Sequence, residues 1–398
     1  MTEEVRKYAF IDALRGYAIL AVLLVHSSLS VAPANSILRS LMNNGARGVQ
    51  LFFIASALTL CLSWHFRSVH EAYPVRNFFI RRFFRIAPLF YAAVIFYVML
   101  YGFSPRYWAP NGIKWWFVPS TVLFLHGYHP ETITSVVPGG WSIAVEMNFY
   151  LLLPFLLRRL RTIRASAIVL IVSLSAYKLS TLAITHLLSG PYPAHQQYLV
   201  SSFAFLSFFG QLPVFAIGIL TYFVFVNVSS LRRLVISANL LFLSLLVLLK
   251  LLTTFTIVRM LSHHIVMGAV FALFALTLGC FPVKLFVNRA LALLGKISFG
   301  MYLTHFAVLE LFKRLGLSTM FQNGDVPSIL HYFCVVAVTA PLSYLLYITI
   351  ERQGITYGKR LIDRLEQGAA QRRGWKGKVE GFVPVFGAPV SAALKRMS

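Results

Sequence analysis

The feature that most limits how this chain can fold is a series of apolar segments, each near 20 residues long. A helix of about 20 residues crosses a hydrocarbon core of roughly 30 Å, and lipid requires that backbone polar groups find partners within their own segment. Only 12% of the residues are charged, well below the roughly 25% typical of a soluble globular protein. The sequence therefore predicts an all-α fold, a polytopic bundle of transmembrane helices.

Several segments have the length and apolarity of membrane spans. They are residues 11–31, 46–64, 84–104, 142–157, 166–187, 205–226, 234–252, 264–282, 295–312 and 329–350, which makes about ten. Another apolar stretch, 115–127, is short and contains Pro119. We predict that this stretch is interfacial or re-entrant, because it is too short to span.

The net charge of +24 is carried by clusters of basic residues between the apolar segments. Such clusters orient a membrane protein, so they indicate topology here and we predict no nucleic-acid partner. Basic residues follow the second, fourth, sixth and eighth spans, whereas residues 188–204 contain none. By the positive-inside rule both termini are cytoplasmic, and the expected location is the plasma membrane, in bacteria the inner membrane.

This pattern divides the chain into three parts. Residues 1–10 form a cytoplasmic N-terminus, residues 11–351 the transmembrane domain, and residues 352–398 a basic cytoplasmic tail that we expect to be partly disordered. The tail contains ten lysines and arginines. Contact with anionic membrane lipids and a purely solubilising role both fit this composition.

No metal site is predicted. Cys61, Cys280 and Cys334 lie inside apolar segments, at spacings that match neither a zinc motif nor a disulfide framework. His126 and His129 alone are too weak a pair to indicate a metal ion.

The first span carries charged and titratable residues, which are costly in lipid and usually mark function. Arg15 and His26 are eleven residues apart, so a helix places both on one face, roughly 16 Å apart along its axis. Taken alone, Arg15 could snorkel to the interface and His26 could be a packing residue. Glu146 is the clearest carboxylate in another span, and we predict that it pairs with His26 and fixes the tautomer of the imidazole.

Two further groups of polar residues share helix faces. Arg82 and Arg85 are three residues apart at the cytoplasmic start of the third span, where guanidinium groups suit a phosphate-bearing ligand and positive-inside anchoring is the alternative. In the ninth span, spacings of four and three put polar residues on one face, which either lines a cavity or joins helices. In the ninth span these residues are Ser298, Tyr302 and His305. Residues of other segments complete the set of candidate cavity-lining residues, namely Asp12, Ser56, Trp141 and Ser142.

Five sequence blocks, taken in order, resemble the motifs of the acyltransferase-3 family of membrane O-acyltransferases. They are "DALRG" with His26, "GVQLFFIASALTL", "RRFFRIAPLFY" with Arg82 and Arg85, "WSIAVEMNFY" and "ISFGMYLTH". Ala57 stands where the family usually has glycine. The resemblance runs from about Ile11 to Glu351, so the middle part of the chain would be a transmembrane acyltransferase domain.

The resemblance implies transfer of an acyl group, commonly acetyl, from a cytoplasmic coenzyme A thioester to a hydroxyl. Acceptors in the family are usually sugars of surface or exported glycans, some of them lipid-linked, including lipopolysaccharide O-antigen, exopolysaccharide and peptidoglycan. Acetyl-CoA would then be the donor substrate, and no permanently bound cofactor is expected.

A mechanism follows as a hypothesis. Arg82 and Arg85, with Arg15, hold the phosphates of acyl-CoA, and His26 takes the proton of the sugar hydroxyl as general base while Glu146 orients it. The sequence has no GxSxG elbow, so direct transfer is favoured, with a transient acyl-histidine as the alternative. A proton-coupled transporter or flippase for a glycan or small metabolite is the main rival, and a non-catalytic glycan-binding partner is the third interpretation.

Overall fold

A computed structural model of the protein describes residues 8–227, 262–280 and 282–373, with side chains up to residue 368. Helices make up the regular structure of this part of the chain, which contains one isolated β-bridge and no strand. The prediction of an all-α fold is therefore confirmed. The predicted span 234–252 and the tail beyond residue 373 lie outside the described residues, as do residues 1–7.

The helices, in chain order, are α1 (Ala9–Ser30), α2 (Ser36–Asn44), α3 (Gly48–His70), α4 (Pro74–Tyr101), α5 (Phe117–Val122), α6 (Trp141–Arg159), α7 (Ile163–Leu188), α8 (Gln197–Leu206), α9 (Phe208–Asn227), α10 (His263–Cys280), α11 (Arg289–Lys296), α12 (Ser298–Arg314), α13 (Leu317–Met320), α14 (Asp325–Leu346) and α15 (Arg352–Arg373). A π-helical turn, Tyr347–Glu351, joins α14 to α15. The first 22 residues of the predicted tail are thus helical.

Seven helical segments of the described chain are long and apolar enough to cross a membrane, and an eighth crossing arises if the bent pair α11 and α12 forms one span. The chain is thus a multi-pass membrane protein, while the count of ten spans and the orientation of the termini stay predictions. α6 is not among the seven because polar residues such as Glu146 and Asn148 lower its hydropathy. Residues 115–127 form only the short α5 and one 3-10 turn, too short to span.

The direction of the helices defines two ends of the bundle. α1 and α4 run the same way, with α3 antiparallel between them, so that Arg15 near the start of α1 contacts Thr59 in the second half of α3. We call the end where α4 begins and α15 lies the tail end. The opposite end, which holds residues 102–140, is the loop end. Arg15 lies toward the tail end and His26 toward the loop end.

Two glycines allow helices to approach closely at the tail end. A Cβ at Gly295 of α11 would lie 1.7 Å from the Asp12 carbonyl oxygen of α1, and a Cβ at Gly354 of α15 would lie 2.6 Å from the Phe84 carbonyl oxygen of α4. Pro88 lacks the N–H that would otherwise bond to Phe84, so this carbonyl is free within its own helix. α11 and α15 are therefore held tightly against the helices that carry the arginines.

Glu366 of α15 ties the beginning of α4 to the rest of the tail end. Its carboxylate accepts from the backbone N–H of Ala72 at 2.8 Å and of Tyr73 at 3.3 Å, from Asn77 Nδ2 at 2.9 Å, and pairs with Arg76 at 3.1 Å. These bonds fix the two residues before Pro74, where α4 begins, and Asn77 in its first turn, so Glu366 anchors the start of α4 from another helix.

We therefore expect Glu366→Ala to lower the free energy of unfolding by about 1–3 kcal/mol, the usual loss when hydrogen bonds to a charged group are removed. Thermal unfolding of the purified protein in detergent measures this as a Tm lower by a few degrees. Asp363→Ala, an exposed carboxylate one turn earlier on α15, is the matched control. Equal Tm values for the two variants would contradict the anchoring role of Glu366.

Candidate active site

Three arginines from two helices come together at the tail end. Arg15 reaches from α1, and Arg82 and Arg85 lie on one face of α4; the guanidinium groups interact electrostatically with one another. Arg15 donates to Thr59 Oγ1 at 2.9 Å and forms an ion pair with Asp12 at 3.4 Å. The structure thus gathers the three cations that the sequence analysis assigns to one ligand.

Two of these guanidinium groups keep unused hydrogen-bond donors. Arg82 lies over the rings of Phe78 and Tyr150, at 5.8 and 5.9 Å from their centroids, and its Nε is buried without a hydrogen-bond partner among the described residues. Arg85 forms no hydrogen bond or ion pair within the same part of the chain. A buried donor without a partner costs about 1–3 kcal/mol, so the cluster is suited to an anion that would accept these bonds.

Glu146 faces this cluster from α6. Its Oε1 accepts from Ser56 Oγ and from Tyr150 OH, each at 2.5 Å. The carboxylate also interacts electrostatically with Arg15 and Arg85. Tyr150 lies one turn after Glu146 on the same helix face, so its hydroxyl draws the carboxylate toward the arginines.

A second carboxylate, Glu351, completes the electrostatics of the cluster. It is 1% exposed and ends the π-helical turn between α14 and α15. It interacts electrostatically with Arg85 and Arg15, and its Oε2 has no hydrogen-bond partner in the described chain. π-helical turns are rare and often occur at functional sites, and here the turn aligns a buried acid with the free guanidinium of Arg85.

His26 lies half-buried at the loop end, with two ring neighbours on α12. Its ring centroid is 5.2 Å from that of His305 and 4.5 Å from that of Phe306. His305 is fully buried, with Nδ1 at 3.2 Å from the Met301 carbonyl oxygen and Nε2 without a hydrogen-bond partner among the described residues. Since Nδ1 donates to that carbonyl, the neutral ring of His305 offers Nε2 as a free acceptor beside His26.

The predicted hydrogen bond between His26 and Glu146 is not present in the described part of the protein. Glu146 is held by Ser56 and Tyr150 instead, and the titratable group next to His26 is His305. The depth estimate from the sequence placed both residues on the outer half of their spans, but it could not show which way each side chain turns. The carboxylate turns toward the arginines and the imidazole toward α12.

A hydroxyl network joins α12 to the start of α6, next to His305. Tyr302 OH donates to the Gly139 carbonyl at 2.9 Å, and Ser142 Oγ donates to Tyr302 OH at 2.8 Å. The Tyr302 ring packs beside His305, with 5.8 Å between the centroids. Both hydroxyl protons are thus engaged, and the network positions α12 against the start of α6.

The remaining candidate residues have structural contacts of their own. Trp141 packs edge-on against Phe53, with 6.0 Å between the ring centroids. Ser298 Oγ donates to the Gly295 carbonyl at 2.8 Å, within the bend between α11 and α12. These two residues make local structural contacts, and their place in a cavity wall stays a prediction, whereas Ser56 and Asp12 contact the charged groups directly.

Three residues of the site are not among those predicted from the sequence. Tyr150 is one helical turn from Glu146, a spacing that shares a face, and Thr59 lies one turn after Ser56 toward the tail end. Glu351 follows the apolar run of the last predicted span and was read as its boundary. A carboxylate directly after an apolar span is the sequence feature that could have indicated Glu351 as a site residue. The contact of Thr59 with Arg15 depends on how α1 and α3 pack, so no sequence feature indicates it.

The fold and the site together define a multi-pass helical membrane protein with a polar, charge-rich interior. A family model described as an acyltransferase domain matches residues 8–348. The chain belongs to this acyltransferase-3 family.

Two curated relatives show the same relationship at low identity. The chain is 28% identical over 222 residues to the peptidoglycan O-acetyltransferase OatA of Listeria monocytogenes, a match that covers 50% of this chain and 32% of the relative. It is 22% identical over 376 residues to the O-acetyltransferase OatA of Staphylococcus aureus, which covers 86% of this chain and 56% of the relative. The chain thus spans between a third and little more than half of their lengths. No solved structure matches it.

Proposed function

We propose that this protein is an integral membrane O-acyltransferase. It moves an acyl group, most simply acetyl, from a cytoplasmic acyl-CoA to a hydroxyl of a cell-surface or exported glycan. The observation that carries the proposal is the arrangement along α1, where an arginine cluster with free donors lies at one end and a histidine at the other. Family membership supports acyl transfer, and relatives named as O-acetyltransferases, one of them for peptidoglycan, support acetyl as the group and a bacterial glycan as the acceptor.

The arginine cluster is our candidate for the donor site. Guanidinium groups bind phosphate oxygens through paired, charge-assisted hydrogen bonds, and acyl-CoA carries several phosphates at one end. The unused donors of Arg82 and Arg85 would be satisfied by them, while Glu351 and Glu146 hold the guanidinium groups in place before the donor binds. The basic loops at this end support a cytoplasmic location under the positive-inside rule.

The distance along α1 suits a donor that is charged at one end and reactive at the other. Eleven residues of helix separate Arg15 from His26, or roughly 16 Å at 1.5 Å per residue. The pantetheine arm of the donor would extend along this face and bring the thioester carbonyl to the imidazole, which would carry acetyl across about half of a hydrocarbon core of roughly 30 Å.

In the transfer step, His26 accepts the proton of the sugar hydroxyl while the hydroxyl oxygen attacks the thioester carbonyl. The tetrahedral intermediate collapses by breaking the carbon–sulfur bond, and the leaving thiolate takes the proton from the imidazolium, which regenerates neutral His26. The free Nε2 of His305 next to His26 is suited to steady the imidazolium through a shared proton or water. A transient acyl-histidine is the alternative route through the same residue.

Inside-out membrane vesicles that contain the protein test this function. With acetyl-CoA labelled in its acetyl group added outside, we expect label to appear in alkali-labile esters on glycan inside the vesicles, and none in vesicles that lack the protein. Label that stays on CoA, together with proton-driven uptake of glycan or metabolite, would reject the transferase in favour of a transporter.

A further inference from the structure

We propose that a pocket at the loop end, separate from the hydroxyl network around Tyr302, is a binding subsite for a neutral, hydroxyl-rich sugar ring of the acceptor glycan. The pocket has a volume of about 550 Å³ and is lined by Asn111, Tyr128, His129, Glu131, Tyr192 and Gln196, among others. This inference rests on the proposed function for the identity of the glycan as acceptor, but sugar binding in the pocket is a property that can be measured by itself.

Glu131 is the group that most clearly requires a ligand. It is only 5% exposed, its Oε1 accepts a long hydrogen bond of 3.4 Å from Tyr192 OH, and its Oε2 has no hydrogen-bond partner among the described residues. A buried carboxylate oxygen without a donor is costly. Hydroxyl groups of a sugar in the pocket would donate to this oxygen once the Glu131 side chain rotates toward them, with no change in the backbone.

His129 supplies a donor next to this acceptor. The backbone N–H of Glu131 donates to His129 Nδ1 at 3.2 Å, so the neutral imidazole carries its proton on Nε2. Burial lowers the pKa of His129. The Glu131 carboxylate opposes this shift and Lys114 adds to it, so the pKa stays below its usual value and the ring is neutral near pH 7. The pocket therefore offers a fixed donor, a fixed acceptor and the amides of Asn111 and Gln196, a mixture that matches the alternating donors and acceptors of sugar hydroxyls.

The aromatic walls favour a ring-shaped ligand with apolar C–H faces. Tyr128 is 58% exposed, and its hydroxyl is anchored by Asn148 of α6, which fixes the ring at the pocket edge. Tyr192 forms another wall. Burial, and to a lesser extent the neighbouring Glu131 carboxylate, raises the pKa of Tyr192 to about 12, so the hydroxyl stays protonated. Ligand pockets commonly combine apolar or aromatic walls with a few fixed polar groups. The Glu131 carboxylate disfavours anionic ligands, which is why we commit to a neutral sugar.

The loop that carries the pocket also contacts the candidate active site. From Glu131 it continues to Gly139, whose N–H donates to Thr134 Oγ1 at 2.9 Å and whose carbonyl accepts from Tyr302 OH. Thr132 Oγ1 donates to the His126 carbonyl at 2.7 Å and closes the loop on itself. One hydrogen-bonded loop thus links the pocket to the helix that packs on His26.

The test compares Glu131→Gln with the wild type, using the purified full chain in detergent and a neutral tetrasaccharide of N-acetylglucosamine as the probe. We expect calorimetry to show a Kd raised about 10-fold or more, because a hydrogen bond to a charged acceptor is replaced by one to a neutral amide. In the vesicle assay KM for glycan should rise by a similar factor, with KM for acetyl-CoA unchanged. Glu310→Gln is the control, since Glu310 is a carboxylate toward the same end that already pairs with Arg314.

Three results separate this proposal from the proposed function. If the wild type transfers acetyl but Glu131→Gln has unchanged Kd and KM for glycan, the subsite is rejected and the enzyme stands. If there is no transfer but tetrasaccharide binding still depends on Glu131, the subsite stands without the enzymatic function. If the pocket binds a sulfated oligosaccharide probe better than the neutral one, the assignment of a neutral sugar is overturned. Tyr192→Phe provides the same comparison should Glu131→Gln fail to fold.

Discussion

Replacing His26 by alanine is expected to reduce acetyl transfer to glycan by about 10²–10⁴-fold, the usual contribution of a general base. The imidazole is the group that would take the proton of the attacking hydroxyl, and it lies half-buried beside the free acceptor of His305, away from the arginine cluster. The measurement is the initial rate of label transfer from acetyl-CoA in inside-out vesicles. Because the base acts on the bound substrates, KM for acetyl-CoA should change little.

His186→Ala is the matched control, since His186 is an exposed histidine in the last turn of α7. Its rate should equal that of the wild type. The amount of folded His26→Ala, judged by its elution and Tm in detergent, excludes loss of the protein as the cause. A correctly folded His26→Ala variant that retains half of the wild-type rate would remove His26 from the mechanism, and the proton would then have to be taken by another group.

The sequence allowed most of the fold to be predicted because length and apolarity determine where helices can cross lipid. α1 and α7 match predicted spans within a few residues at each end, and α3 extends six residues beyond its predicted end. The short length of 115–127 and its Pro119 indicated a segment that does not span, and the structure has only short helices there. α6 is the case where hydropathy alone fails, because Glu146 and Asn148 make its helix too polar for a simple test of length and composition. Those same residues are polar because the helix faces the interior of the bundle.

The site was predictable only where helical spacing determines it. Arg82 and Arg85 share a face by their spacing, and the structure gathers them with Arg15. The partner of Glu146 depends on side-chain direction, so the expected bond to His26 was replaced by bonds to Ser56 and Tyr150.

The pocket around Glu131 shows this limit most clearly. Most of its lining comes from two loops about 60 residues apart in the chain, joined by the contact between Glu131 and Tyr192, and Asn111 adds a third segment. The sequence showed both loops only as connections between spans, one of them notable for its lack of basic residues. Periodicity carries no information about such loops, because their conformation depends on turns and tertiary contacts.

Arg85→Gln is expected to raise KM for acetyl-CoA by about 10–100-fold, the range for losing one or two charge-assisted hydrogen bonds to phosphate. Arg85 is chosen because it forms no hydrogen bond or ion pair within the described chain, so its donors are free for the ligand. Arg85→Lys keeps the charge but loses the paired geometry, and it should give an intermediate KM. In each variant KM for glycan should stay at the wild-type value, since the acceptor would bind at the opposite end of α1.

Glu351 makes this test stricter. Removing the charge of Arg85 leaves the buried carboxylate of Glu351 with one cation fewer, and a buried uncompensated charge is destabilising. The double variant Arg85→Gln, Glu351→Gln removes both charges, so it should recover the amount of folded protein while KM for acetyl-CoA stays high. Arg161→Gln, an exposed arginine in the connection after α6, is the control for general loss of positive charge. If the folded double variant binds acetyl-CoA as tightly as the wild type, the arginine cluster is not the donor site, and its charges serve only to hold α4, α1 and the π-helical turn together.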